Sequence, residues 1–200
     1  MKKLLLLSAL LIITSGYSQS KEQLELNDKI MAAVDKGNFY DAVNLSSEML
    51  ETYEDYFNNN PIKEVMTLNN MGQWLLEVNE FDAAITFFNA ALKMNYAHII
   101  DVGPDKGNSI KAEILINLGV TYSRKKQESI AFNYYDEAVR QVTKYKNLYG
   151  DYVKGMVYTK IAYSKYQLGK KGYCKDSKKA DKYAYAYPLA RELFYQLRCY

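Results

Sequence analysis

From about residue 21 onward, apolar side chains recur at i, i+3 or i+4 and i+7 rather than at every second position, as in Leu68, Met71 and Leu75 or Leu115, Leu118 and Tyr122. That spacing lays them along one stripe of a helix. The pattern predicts helices near 21–36, 39–56, 62–79, 81–97, 109–126, 127–147, 150–168 and 172–182, with a ninth from Pro188 to about residue 198. Pro188 is tolerated there because the first turn of a helix has no use for its missing N–H. Turn formers paired with proline at Asn58-Asn59-Asn60-Pro61 and across 103–109 mark the expected loops. Only three prolines and ten glycines interrupt 200 residues, so long helices are favoured over many tight turns and the chain reads as all-α.

The first 18 residues follow a different rule. Lys2 and Lys3 precede an apolar run from Leu4 to Ile13 broken only by Ser8, and small and polar residues follow. This is the pattern of a secretory signal peptide, with Gly16 and Ser18 as the small residues before cleavage at Gln19. As a helix the run would span about 15 Å, roughly half a bilayer core, too short for a permanent span. No cysteine lies nearby to take a lipid. Expected, therefore, are a signal peptide over 1–18, one domain over 19–200, a secreted or periplasmic location, and no integral membrane span after cleavage.

Within that domain one pattern repeats at matched offsets. Counting from Gly72 or Gly119, a large residue follows at Leu75 or Tyr122, an alanine at Ala84 or Ala131, an aromatic at Phe88 or Tyr135 and a second alanine at Ala91 or Ala138. Weaker copies flank these. The first has Ile30 in the glycine place, followed by Ala42 and Met49; the last has Tyr158, Ile161 and Ala162, then Cys174, Lys178 and Asp181 where alanine, aromatic and alanine are expected. The order resembles the tetratricopeptide repeat. The resemblance implies a right-handed α-solenoid of antiparallel helix pairs, with repeats near 23–57, 65–98, 112–147 and 155–182 and a capping helix over 187–199. Each glycine should lie where the second helix of its pair crosses the first closely, and each aromatic should fill the gap toward the next repeat.

The ending, in which Cys174 on one helix is followed by Cys199 on a closing helix, resembles that of secreted bacterial proteins of this family. A Cys174–Cys199 bridge is what the resemblance implies, and export makes oxidation reasonable; two buried free thiols are the alternative.

Candidate chemistry is sparse. Two cysteines and one histidine cannot form a four-ligand Cys/His zinc cage or an HExxH site, and the chain contains no phosphate-binding loop, nucleophile elbow or CxxC motif. His98 reads as a helix-terminal residue, and 101–105 as a turn lacking the oxygen ligands of a calcium loop. The expectation is a protein without catalysis, cofactor or metal. Charge is uneven: residues 19–120 carry 7 Lys or Arg against 16 Asp or Glu, and 121–200 carry 17 against 7. This is either a solvated surface whose composition drifts, or steering for head-to-tail self-association or for two differently charged ligands.

What the resemblance implies for function is a concave groove lined by the first helix of each pair. Its register places Asn27 and Met31, then Met66, Asn69, Gln73 and Leu76, then Glu113, Ile116 and Arg124, then Tyr163 and Tyr166 along that groove. Mixed amide, apolar and aromatic groups suit an extended segment or helix of another protein. The expected role is a non-catalytic exported scaffold or adaptor with a protein or peptide partner. Nucleic acid is not expected after export. A glycan-binding accessory protein, suggested by 20 tyrosines, and a self-assembling structural protein of the envelope are the alternatives.

Overall fold

The computed structural model describes residues 19–94, 103–142 and 148–199. The signal-peptide region, His98 and the ends of two expected helices (95–97 and 143–147) lie outside the described residues. The described chain is all-helical: α1 (Lys21–Asp35), α2 (Phe39–Thr52), α3 (Glu54–Asn59), α4 (Pro61–Glu77), α5 (Phe81–Lys93), α6 (Gly103–Arg124), α7 (Glu128–Val142), α8 (Leu148–Gln167), α9 (Tyr173–Asp181) and α10 (Leu189–Gln196). The helices stack as antiparallel pairs α1/α2, α4/α5, α6/α7 and α8/α9, each packed on the next, in a solenoid-like arrangement that α10 closes by lying on α8 and α9.

Two expected loops are helical instead. Asn58 and Asn59 end α3 and Pro61 opens α4, so only Asn60 separates them, its side chain donating to the Tyr56 carbonyl at 2.8 Å. The second expected loop forms the first turns of α6, with Pro104 as its second residue, where a missing N–H costs no helical bond. In the other direction, the helix expected over 39–56 breaks at Tyr53, whose backbone (φ −118°, ψ 39°) leaves the helical region.

Every pair turns from its first helix to its second through one geometry. Gly37, Asn79, Lys126 and Gly169 all have positive φ, between 61° and 73°. The next residue's N–H, at Asn38, Glu80, Gln127 and Lys170, returns to the carbonyl five residues back, at Ala33, Leu75, Tyr122 and Lys165, with lengths of 2.8–2.9 Å. This left-handed cap satisfies carbonyls that the helix end would leave open. Its fourfold recurrence at one position of the pattern defines the repeat independently of side chains.

Between the paired helices the interlock is glycine against ring. A Cβ placed on Gly72 would lie 2.5 Å from Cε1 of Phe88, and one on Gly119 would lie 2.4 Å from Cε1 of Tyr135, so both rings occupy the space that a side chain would take. Both aromatics are fully buried. As expected they also reach the next pair: Phe88 shares a core cluster with Ile110, Ile114 and Leu118, and Tyr135 with Val153, Val157 and Ile161. The Tyr135 hydroxyl meets Ser164 Oγ of α8 at 2.9 Å, which satisfies a polar group that burial would otherwise strand. In the first pair the sizes are exchanged, Ile30 replacing glycine and Ser46 replacing the aromatic, both buried.

The last pair solves the same problem differently. Ala162 takes the glycine position, and its neighbours are Leu193, Leu197, Tyr173, Cys174 and Cys199 from the closing segment. The Cys174–Cys199 disulfide is present, with Cα atoms 5.1 Å apart, and ties α9 to the end of α10. A third close approach, not anticipated from the repeat pattern, is Gly155 on α8, where a Cβ would lie 2.8 Å from that of Tyr187.

Two outcomes follow. Gly72→Ala should cost about 1–3 kcal/mol in urea unfolding through overpacking, and combining it with Phe88→Leu should destabilise less than the sum of the separate effects. Breaking the bridge, whose cysteines are 25 residues apart, with Cys174→Ser and Cys199→Ser should cost about 3–4 kcal/mol in the same assay. Hydrogen exchange should then accelerate first in α10.

Candidate functional site

Among the first helices of the pairs, α4 packs on α6 and α6 on α8, whereas no comparable packing joins α2, α5, α7 and α9 to one another. The row α4, α6, α8 therefore shares one side of the stack, and the faces of these helices turned away from their partners form its candidate binding surface.

The expected groove residues divide into three groups. Asn27 and Met31 on α1 and Met66 and Gln73 on α4 are half-buried, while Arg124, Tyr163 and Tyr166 are exposed, the tyrosines at 40% and 49%. Asn69 is buried and accepts from Asn117 Nδ2 at 2.9 Å, a bond between side chains that joins α4 to α6. Leu76 and Ile116 do not line a surface: both are buried, Ile116 completely, in the clusters that join successive pairs. Successive helical residues are rotated by about 100°, so an error of one position moves a side chain from groove to core. In α6 it is Asn117 rather than Ile116 that reaches across to α4.

Arg124 is occupied. Its Nη2 donates to Asn79 Oδ1 at 2.8 Å, its guanidinium is 4.0 Å from Glu77, and it stacks over the Phe81 ring at 5.5 Å. It thus ties the end of α6 to the turn of the preceding pair, with Lys125 doing the same through its ion pair to Asp82. Lys160 on α8, by contrast, was not anticipated. It stands one repeat along from Asn117, and its ammonium is drawn below the ordinary lysine range by burial, opposed by the charge of Glu77. Only its register relative to Asn117 could have singled it out in the sequence.

Glu113 belongs to the closing end rather than to an open groove. Burial raises its carboxyl to about 7. Burial raises the hydroxyls of Tyr152 on α8 and Tyr187, whose rings meet edge to face at 5.3 Å, and the charge of Glu113 adds to both. A carboxylate withdrawn from water beside two tyrosines is a proton-binding position, not an exposed ligand contact.

The helices of this row carry the half-buried amide of Gln73, the amine of Lys160 and the exposed ring of Tyr163, whereas Asn69 is committed to Asn117 and the Tyr166 ring meets Tyr173 of α9 edge to face at 5.4 Å. No group of three or more His, Cys, Asp or Glu among the described residues could hold a metal ion, and no described helix is long and apolar enough to cross a membrane. No protein-family model matches the chain, and no curated protein matches it in sequence.

The raised Glu113 fixes a pH dependence. Its folded-state value of about 7 lies above the ordinary 4.5, so the folded protein holds the proton more tightly, and stability falls as pH rises from 4.5 to 7. The full difference is about 3 kcal/mol, complete above neutrality. Glu113→Gln should raise the urea midpoint at pH 8 and flatten this slope.

Proposed function

We propose that the chain is an exported, non-catalytic scaffold of the tetratricopeptide-repeat family, a right-handed superhelix whose inner face holds a segment of another protein. The observation that carries this reading is the row of α4, α6 and α8, on which Gln73, Lys160 and Tyr163 are not committed to the packing between pairs. An extended or helical segment can place apolar groups against Tyr163 while its backbone bonds to the Gln73 amide. An acidic group on the ligand would find Lys160. The glycine–aromatic interlock and the fourfold left-handed turn support the family assignment. The disulfide, together with two lysines followed by an apolar run at the start of the chain, supports an oxidising compartment outside the cytoplasm.

A glycan ligand is the second reading. It is favoured by the exposure of Tyr163, Tyr166, Tyr185 and Tyr195 toward the C-terminal end, since such rings pair an apolar face with a polar tip.

A photo-crosslinking side chain at Gln73 in intact cells should capture a discrete protein, and one at the exposed Ser129 of α7 should not. Tyr163→Ala should reduce capture by about tenfold or more without altering the unfolding midpoint. Capture from Ser129 alone, or capture indifferent to Tyr163, would remove the inner face as the binding surface. Quenching of tyrosine fluorescence by soluble polysaccharide, with no protein captured, would favour the glycan.

A further inference from the structure

The exposed face of α9 carries a stripe of lysines of which its own fold neutralises only Lys179 among the described residues. Lys175, Lys178, Lys179 and Lys182 follow at i, i+3, i+4 and i+7, hence on one stripe, and with Cys174 they line an open concavity beside the disulfide. Over 165–182 there are seven lysines and two aspartates. Both aspartates are engaged elsewhere: Asp176 is buried and receives Lys165 at 2.5 Å, with Lys179 at 3.8 Å, and Asp181 pairs with Arg191 at 2.8 Å. Lys175, Lys178 and Lys182 are exposed and take part in none of the ion pairs of the described residues. Like charges at i, i+3 and i+7 repel, a cost that a partner of opposite charge would reverse.

The opposite end of the solenoid carries the complement. Residues 37–62 hold five acidic residues and no lysine or arginine. Asp41, Glu48 and Glu51 on α2 and Glu54 and Asp55 on α3 are all exposed, and none of them is in an ion pair of the described residues. On α2, positions 41, 48 and 51 fall on one stripe, and Glu54 and Asp55 follow just past the break at Tyr53. Crowding is felt nearby, where Glu64 is raised by burial and by the charge of Glu54. Each patch also has exposed apolar surface close by: Tyr40 at 51% on α2, and Tyr185 at 67% just beyond α9. Tyrosine beside charge is the composition of a polar protein interface.

We propose that the chain binds a second copy of itself head to tail, the lysine face of α9 in one copy seating on the acidic α2–α3 face of the next. The two faces are different, so the contact is heterologous: an open complex keeps one free face of each kind at its ends and grows into rows, unless it closes as a ring. The attraction is between exposed charges, so salt weakens it.

Purified protein at roughly 20 mM salt should show a light-scattering mass that rises with concentration to several times the monomer, and at about 500 mM salt it should return to the monomer. The neutralised variants K175Q/K178Q/K182Q and E48Q/E51Q/D55N should each be monomeric at low salt. Mixed, they should form a one-to-one dimer of about twice the monomer mass and nothing larger, since only one intact face of each kind remains. All six side chains face solvent, and circular dichroism checks that both variants fold; if either does not, K178Q/K182Q and E48Q/E51Q replace them. A wild-type monomer at low salt, association unchanged by either neutralisation, or a mixture that stays monomeric would overturn the proposal. So would binding of heparin to the lysine face without self-association. Tyr163→Ala should self-associate normally, so loss of inner-face capture and loss of assembly are separately visible.

Discussion

The fold depends on a ring seated where a side chain is missing. At Gly72 and Gly119 the two helices of a pair approach so closely that the aromatic of one occupies the Cβ space of the other. The same ring borders the first helix of the next pair, so one contact sets both the distance within a pair and the packing between pairs. Interiors packed at crystalline density transmit such contacts, because neither ring nor backbone can move without opening a void. In the first pair the corresponding positions hold Ile30 and Ser46, both buried, with the larger side chain on the first helix.

The ends obey a different physics from the middle. An end repeat has no neighbour to cover it, so its outer face must be polar or closed by something else. At the start of the described chain the uncovered helices are acidic and exposed. At the finish, α9 lacks the aromatic of the inner pairs, and α10 supplies Leu193 and Leu197 to the Ala162 face instead, held there by the disulfide. A helix of only 8 residues would fray on its own; a covalent tie removes much of the freedom gained by its release. Closing the stack in this way leaves the lysines of α9 on the outside.

Electrostatics follows from the same division. Within the stack, polar side chains are matched across pairs: Asn117 with Asn69, Tyr135 with Ser164, Arg124 with Asn79 and Glu77. Near the closing end burial raises the Glu113 carboxyl to about 7, and its charge is felt by Tyr152 and Tyr187. Ionisable groups are thus used as packing material inside and as bare charge at the two ends.

What the sequence determined by itself was whatever depends on spacing along one chain. Helical stripes and the glycine-to-aromatic offsets are local periodicities, and the repeats could be read from them. Tertiary structure alone decided which neighbour each face meets. Ile116 enters the core while Asn117 crosses to α4, a difference of one residue that no periodicity resolves. Pro104 and Asn58-Asn59, strong turn signals, lie within helices because first and last turns tolerate them. Gly155 against Tyr187 and Lys160 within reach of Glu77 bring together residues far apart in the chain. Such pairings are set by how the rods cross, and crossing is a property of the packed stack.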